Sequence, residues 1–231
     1  MMATESGIAF QAATGIEVPA AGQVLVEGPR LRLRRAALTD IDFIMRITQA
    51  PENVPYIFPF DRDTHTAIIK GTTIRLQELV EAAAAASIPV ATVGAFAAIV
   101  AESYGAIDII SEEKSTGAPV GYFLVRGLMN ELRELEWTHV VVDKKGCGYG
   151  HEGLKLLKKW SFDVMGFHHG WLDCKEYNAR ALHLYESEGL QRQGRERDTL
   201  RLADGTYETL VVLDMLEDEY RQRQSAGLEL G

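Results

Sequence analysis

Three glycines at alternate positions, Gly146, Gly148 and Gly150, directly follow an apolar run that ends at Val142. Glycine readily takes up positive φ and lets backbone N–H groups approach a ligand closely. The pattern after the turn predicts a helix, whose first turn adds unpaired N–H donors and a partial positive charge. Lys145 adds positive charge beside them. The segment therefore predicts a binding site for a phosphate or pyrophosphate group.

The same glycines also fit a second kind of phosphate site. The spacing Gly148-x-Gly150-x-x-Gly153 matches the fingerprint of dinucleotide-binding folds, with Asp173 at a suitable distance to hold a ribose. Such a fold needs further strand–helix–strand units, whereas the pattern after this turn predicts one strand, one short helix and a hairpin. The P-loop pattern fails, because no Gly-Lys-Ser/Thr opens the helix. A dinucleotide-binding oxidoreductase remains the less favoured alternative.

A second group of chemically useful residues follows about one strand later. Asn178 precedes a predicted helix over Ala179–Glu188, which Gly189 ends. Asn178 suits the N-cap of that helix, and Tyr185 suits its packed face. Either side chain could instead face a ligand, so spacing alone leaves both interpretations open.

The elements that position these residues follow from periodicity, with strands at a period of two and helices at three to four. Predicted strands cover residues 31–35, 106–111, 119–126, 135–142, 171–174, 191–202 and 207–215, and Asp204-Gly205 joins the last two as a hairpin. A helix is predicted over 154–164, with Lys155, Lys158 and Lys159 opposite its apolar face. This order predicts an α/β (α+β) fold with a mixed sheet and helices on its faces.

Composition divides the chain into four parts. Residues 1–28 have no clear period and predict a loose or partly extended N-terminal arm. Residues 29–220 predict one domain. Within it, residues 73–104 predict an Ala-rich helical insertion or an enlarged helical region, packed in the core or against a second copy of the chain. Residues 221–231 predict a frayed C-terminal tail.

Charge and cysteine content bound the possible partners. The net charge of -9 argues against nucleic acid as the main partner, because neutralising phosphates needs clustered Lys and Arg. Two cysteines, Cys147 and Cys174, provide neither a disulfide framework nor a metal cluster. We find no signal-peptide pattern and no apolar run of membrane-spanning length. These patterns predict a cytoplasmic protein that binds neither membrane nor metal.

Two blocks of sequence resemble one family of enzymes. Lys145-Gly-Cys-Gly-Tyr-Gly150 resembles the acetyl-CoA turn of the GNAT superfamily of N-acetyltransferases, in which Arg or Gln usually stands in place of Lys145. Residues 176–190 resemble that family's Asn-x-x-Ala-x-x-Leu-Tyr-x-x-x-Gly-Phe segment. Four further segments resemble the branch that includes ribosomal-protein N-terminal acetyltransferases, at residues 29–34, 120–124, 171–173 and 204–220. The resemblance covers about residues 29–220 and is poor across 73–104.

The resemblance implies a GNAT-like fold, in which a mixed, mostly antiparallel central sheet is flanked by helices on both faces. It implies transfer of the acetyl group of acetyl-CoA to a primary amine, on a protein N-terminus or a small molecule, by direct attack on the thioester. The alternative is a non-catalytic acyl-CoA-binding module with the same fold. Some relatives act as dimers, so a homodimer is compatible with the resemblance.

Roles for individual residues follow from the same resemblance. Tyr185 is the candidate general acid, because a phenol with a pKa of about 10 is protonated at neutral pH and can donate to sulfur. Glu136, on the strand before the turn, is the candidate general base, with Glu134 and His139 as alternatives. The predicted cofactor-binding residues are Val140, Val142, Lys145, Gly146, Cys147, Gly148, Tyr149, Gly150, His151, Asn178 and Arg180.

Overall fold

A computed structural model of the chain describes residues 18–70, 105–128, 130, 132–202 and 204–230. These residues form eight strands and five α-helices. The strands are β1 (Val24–Glu27), β2 (Leu31–Arg35), β3 (Ile107–Glu113), β4 (Pro119–Arg126), β5 (Glu134–Val142), β6 (His169–Lys175), β7 (Gln191–Arg201) and β8 (Tyr207–Leu216). The helices are α1 (Ile41–Thr48), α2 (Arg62–Lys70), α3 (Tyr149–Lys159), α4 (Ala179–Ser187) and α5 (Glu217–Ser225). A π-helical turn, Trp160–Val164, extends α3.

The strands form a single sheet in the order β1-β2-β3-β4-β5-β6-β8-β7. Every neighbouring pair is antiparallel except β5 and β6, which are parallel. A parallel pair needs a long crossover, and α3 supplies it, since it connects the end of β5 to the start of β6. The mixed, mostly antiparallel sheet predicted from the sequence is therefore confirmed.

Helices cover both faces of the sheet, as predicted, because β4 is apolar on both of its faces. On one face, Phe123 packs in the same cluster as Leu154 and Leu157 of α3. On the other face, Tyr122 belongs to a second cluster with residues of α1 and α2, such as Ile44. Successive residues of a strand point to opposite faces, so the continuous apolar run at 120–125 supplies both clusters.

Residues 24–27 and the segment after α1 differ from the sequence-based expectation. Residues 24–27, assigned to the N-terminal arm, form strand β1, which pairs with β2. Helix α2 was not predicted, because its first four residues are polar or charged and give no apolar helical pattern. His65, Ile68 and Ile69 are nevertheless buried. The Ala-rich region predicted at 73–104 lies outside the described residues.

The frayed tail expected at 221–231 is wrong for its described part. Helix α5 continues to Ser225, and Glu229 is buried against Lys158 of α3, with 2.6 Å between Oε1 and Nζ. Lys158 was expected on the polar face of its helix but is also buried. A buried ammonium needs a carboxylate partner, and the segment after α5 supplies one. Among the described residues, no helix is both long and apolar enough to cross a membrane.

Gly170 of β6 allows a close contact that positions the start of this strand. A Cβ atom at Gly170 would lie 2.5 Å from Cζ2 of Trp137, which is buried and donates a hydrogen bond from Nε1 to Oγ of Ser161 at 3.1 Å. We expect Gly170→Ala to lower the free energy of unfolding by about 2 kcal/mol, because the fixed indole ring cannot yield.

Urea denaturation measures this effect. Gly194→Ala is the matched control, because Gly194 also lies in a strand and a Cβ atom there meets no atom within 4 Å. Equal unfolding free energies for the two variants would contradict the packing argument.

Candidate active site

The parallel strands β5 and β6 pair only at one end, and this creates a cleft in the sheet. Their register covers Glu134, Leu135 and Glu136 opposite His169, Gly170 and Trp171. Beyond that point β6 continues to pair with β8, and β5 continues to pair with β4. A cavity of about 530 Å³ lies at the cleft, with residues 138–142 in one wall and 173–175 in the other.

A β-bulge shapes the β5 wall of the cleft. Leu124 pairs with His139 and Val125 pairs with Trp137, so Thr138 is the extra residue between them. The bulge lets Trp137 enter the core beneath α3 while His139 turns towards α1 and α2, where its ring centroid lies 5.4 Å from that of Phe60. The backbone of Thr138 is thereby left outside the β4 ladder, at the cavity wall.

The glycine turn lies at the other end of β5 and presents unpaired backbone donors. Gly146 and Gly148 both have φ of 77°, and Gly148 is the N-cap of α3. Among the described residues, no acceptor is found for any backbone N–H from Lys144 to His151. Donors that converge at a helix N-terminus make an anion site, so this turn fits a pyrophosphate group.

The side chain of Lys145 holds the turn together. Its Nζ donates to Oδ1 of Asn53 at 2.9 Å and to the backbone carbonyl of Val142. Burial lowers the pKa of Lys145, and the nearby positive charge of Arg180 lowers it further. Lysine in place of the family's usual Arg or Gln thus ties the end of β5 to the α1–α2 connection, while the backbone N–H groups stay available.

A second set of contacts supports the turn from the outside. Arg30 donates to Oε2 of Glu152 at 2.8 Å and to the carbonyl of Cys147 at 3.0 Å, and its guanidinium lies 5.2 Å from the ring centroid of Tyr149. The hydroxyl of Tyr149 donates to Oε1 of Glu113 at 2.6 Å. These contacts join the turn to β2 and β3 and restrict its motion.

The structure gathers nearly all sequence-predicted site residues around the one cavity. Those that line it are Tyr185, Glu136, Val140, Val142, Lys145, Gly146, Gly148, Tyr149, Gly150, His151, Asn178 and Arg180. Cys147 is not among the lining residues, and its thiol is exposed on the outer side of the turn. Within the described ranges, no group of three or more His, Cys, Asp or Glu side chains is arranged to hold a metal ion.

Helix α4 starts and ends as the sequence indicated. Oδ1 of Asn178 accepts a hydrogen bond from the backbone N–H of Ala181 at 3.2 Å, so Asn178 is the N-cap. Asn178 also lines the cavity, and its Nδ2 donates no hydrogen bond within the described part of the chain. The two interpretations left open by the sequence therefore do not exclude each other.

Tyr185 projects from α4 into the cleft. Only 7% of the residue is exposed. Its hydroxyl has no hydrogen-bonding partner among the described residues. Burial raises the pKa of Tyr185 far above its ordinary value, and Cys174 and Asp173 add to the shift. The phenol is therefore protonated across the physiological range of pH and can donate a proton.

The candidate base Glu136 is already paired. Its Oε1 lies 3.5 Å from a terminal nitrogen of Arg126, its neighbour across the β4–β5 ladder. Arg126 also donates to Oγ1 of Thr138 at 3.0 Å. His139, an alternative base, has its pKa lowered to about 3 by burial and by the nearby His65 and Arg126. His139 is therefore neutral at physiological pH and a weak proton acceptor.

Asp173 is a site residue that the sequence reasoning missed as a proton acceptor. The sequence suggested it only as a ribose ligand. It lies on β6 where the cleft opens, and no hydrogen-bond or ion-pair partner of its carboxylate occurs among the described residues. Surrounding protein raises the pKa of Asp173, Glu196 raises it further, and Arg126 opposes the shift. The signal in the sequence was its alternation with the buried Leu172 and Cys174, which turns Asp173 to the opposite face.

Aromatic residues of the α1–α2 connection form the far wall of the cavity, and Tyr56, Phe58 and Phe60 all line it. Nζ of Lys175 lies 4.8 Å from the ring centroid of Phe58 and donates to the carbonyl of Pro55 at 2.8 Å. We call Tyr56, Phe58 and Phe60 the aromatic wall. The cavity is thus lined by the glycine turn and by the aromatic wall, and Tyr185 and Asp173 line it as well.

Comparison with known proteins identifies the family. Residues 30–191 match the family model described as the acetyltransferase (GNAT) domain. An acetyltransferase of the GNAT family from Bacillus anthracis has a similar solved structure, with a TM-score of 0.60, 14% identity, and coverage of 84% of this chain and 98% of that one. No curated protein matches the chain in sequence.

A second solved structure of similar fold is a spermidine N-acetyltransferase from Vibrio cholerae in complex with CoA and spermine. Its TM-score is 0.60 and its sequence identity is 17%, and the match covers 83% of this chain and 98% of that one. The family match spans well over half of the chain, and the sheet, the cleft and the glycine turn agree with it. The chain therefore belongs to the GNAT acetyltransferase family and is an acetyl-CoA-dependent N-acetyltransferase.

Proposed function

We propose that the protein transfers the acetyl group of acetyl-CoA to a primary amine by direct attack, with Tyr185 as general acid and Asp173 as general base. One observation carries this assignment. The phenol of Tyr185 and the carboxylate of Asp173 line the same cavity and have no hydrogen-bonding partners among the described residues. The glycine turn, which lines that cavity too, offers backbone N–H groups that can donate hydrogen bonds to a phosphate.

The residues present fit the cosubstrate. The backbone N–H groups from Lys144 to His151, which find no acceptor among the described residues, suit the pyrophosphate. Val140, Val142 and Asn178 line the same cavity, and Nδ2 of Asn178 donates no hydrogen bond to any described residue. Acetyl-CoA supplies an acetyl group activated as a thioester.

Asp173 and Tyr185 perform opposite proton transfers. Asp173 removes a proton from the acceptor ammonium, which frees the lone pair that attacks the acetyl carbonyl carbon. The backbone of Thr138, released from the ladder by the bulge, lies where it can donate to the carbonyl oxygen as negative charge develops. Tyr185 gives its proton to the sulfur as the carbon–sulfur bond breaks. The second proton lost by the acceptor nitrogen, as the amide forms, restores the phenol of Tyr185.

Glu136 keeps a supporting role in this proposal. Its ion pair with Arg126 orients both side chains at the cavity wall, and Arg126 in turn reaches Thr138 at the bulge. A carboxylate that is already paired with a guanidinium is a weaker proton acceptor than one without a partner. We therefore assign Glu136 to positioning rather than to proton removal.

The acceptor binds against the aromatic wall of the cavity. Tyr56, Phe58 and Phe60 offer rings to an aliphatic chain or a cation, and Asp173 offers the negative charge that an ammonium needs. A spermidine N-acetyltransferase shares the fold, which makes polyamines one class to test. The resemblance to the ribosomal-protein branch makes peptides with a free N-terminus the second class.

Gly148→Glu tests the cofactor site. A glutamate here brings bulk and negative charge to the pyrophosphate position, so acetyl-CoA should raise the melting temperature of the wild type but not that of the variant. Gly148 has φ of +77°, so any side chain is strained there. Gly22→Glu is the matched control, since Gly22 has φ of +79° and open space around it, outside the site. Loss of stabilisation in both variants would contradict the assignment.

Asp173→Asn and Glu136→Gln separate the two candidate bases. We expect Asp173→Asn to lower kcat by about 100-fold and Glu136→Gln to lower it far less. The reverse order of kcat losses would assign the base to Glu136.

Tyr185→Phe tests the general acid and the non-catalytic alternative together. Removing one hydroxyl from a buried ring should lower kcat by about 100-fold and leave the affinity for acetyl-CoA unchanged. The wild type should keep its activity up to alkaline pH, because the pKa of Tyr185 is raised. Product formation is followed by thiol release with a panel of amines. Absence of turnover with every acceptor, despite acetyl-CoA binding, would favour the non-catalytic module.

A further inference from the structure

A series of side chains in contact, buried beyond its first member, runs from the glycine turn to the C-terminal segment. It begins at His151, in the first turn of α3, whose ring lines the cavity. Nδ1 of His151 lies 2.9 Å from Oε1 of Glu188, the residue that follows α4. The side chain of Glu188 is only 5% exposed, so its carboxylate is held by its partners rather than by water.

Lys158 is the central member of this series. Its side chain is 0% exposed, and its Nζ lies 3.2 Å from Oε2 of Glu188 and 2.6 Å from Oε1 of Glu229. It also donates to the backbone carbonyl of Glu188 at 2.7 Å. Burial lowers the pKa of Lys158, while the carboxylates of Glu229 and Glu188 oppose that shift. The ammonium thus depends on both carboxylates for its charge.

Glu229 is delivered by the segment that follows α5. Nε of Arg223 donates to Oε1 of Glu229 at 2.7 Å, and Nζ of Lys155 donates to the carbonyl of Leu228 at 2.7 Å. The segment is therefore anchored on α3, the same helix whose N-terminus forms the cofactor site. Among the described residues, Glu188 would be the only carboxylate left for Lys158 without Glu229, and the hydrogen bond from His151 to Glu188 would weaken.

We propose that Glu188 positions His151 for the phosphates of acetyl-CoA, and that Glu229 completes this positioning through Lys158. Nδ1–H of His151 donates to Glu188, which leaves Nε2 of the half-exposed ring for a ligand in the cavity that His151 lines. The protonated ring donates one hydrogen bond to Glu188 and one to a phosphate. The C-terminal segment is in this way part of the cofactor site.

The proposal rests on pyrophosphate binding at the glycine turn, and a double-mutant cycle tests it. Isothermal titration with CoA compares the wild type, Glu188→Gln, His151→Asn and the double variant. We expect Glu188→Gln to weaken CoA binding by about tenfold and to have no further effect once His151 is Asn. In Glu188→Gln the loss should appear in the KM for acetyl-CoA rather than in kcat, because Glu188 acts only through His151.

Glu229→Gln and Glu186→Gln complete the experiment. Glu229→Gln, which leaves His151 and Glu188 intact, should weaken CoA binding by about threefold, and circular dichroism checks its folding. Glu186→Gln is the control, because Glu186 lies on α4, close to Glu188 in sequence, in an exposed ion pair with Arg192. Additive effects of Glu188→Gln and His151→Asn, or unchanged affinity in Glu188→Gln, would overturn the proposal. No CoA binding by the wild type would instead overturn the cofactor site itself.

Discussion

The separation of β5 and β6 after three paired residues is the constraint on which the site depends. A sheet normally satisfies its backbone groups by continuous pairing, and an interior gap leaves donors and acceptors exposed. Here β6 stays paired with β8 and β5 with β4, so each strand keeps one partner and the gap costs only the contacts between the two. The cavity therefore lies within the sheet, and the hydrophobic clusters on the two faces remain intact.

The proposed proton transfers depend on the same gap. Burial raises the pKa of Tyr185, because water cannot fully solvate the phenolate, so the phenol stays protonated. Asp173 lies in the wall of the same cavity with an exposed side chain, where an acceptor ammonium can reach it. The gap thus brings the proposed acid and the proposed base into one cavity.

Much of the fold was predictable, because its signals are local. The apolar run at 119–126 gave the bounds of β4, and Asn178 and Gly189 marked the ends of α4, since caps and strand periods are read within a few residues. The glycine turn was recognised from its spacing and its place between a strand and a helix.

The parts that escaped prediction depend on contacts between distant residues. Lys158 has helical spacing suited to a solvent-facing side chain, and only Glu188 and Glu229, 30 and 71 residues further along, explain its burial. Asp173 looks like an ordinary strand residue until the separation of β5 places it in a cavity wall. Helix α2 has a polar beginning, and its buried face becomes evident only when His65 meets Asp108 of β3 at 3.0 Å.

The lining of the cavity comes from two separate parts of the chain. The glycine turn, Tyr185 and Asp173 all lie on one continuous stretch, from β5 through α3 and β6 to α4, whereas the aromatic wall comes from residues 56–60, far earlier in the sequence. Under the proposed function, changes in length or composition between α1 and α2 alter the choice of acceptor without disturbing the stretch that contains the glycine turn. This separation along the chain lets amine specificity diverge while the transfer chemistry stays the same.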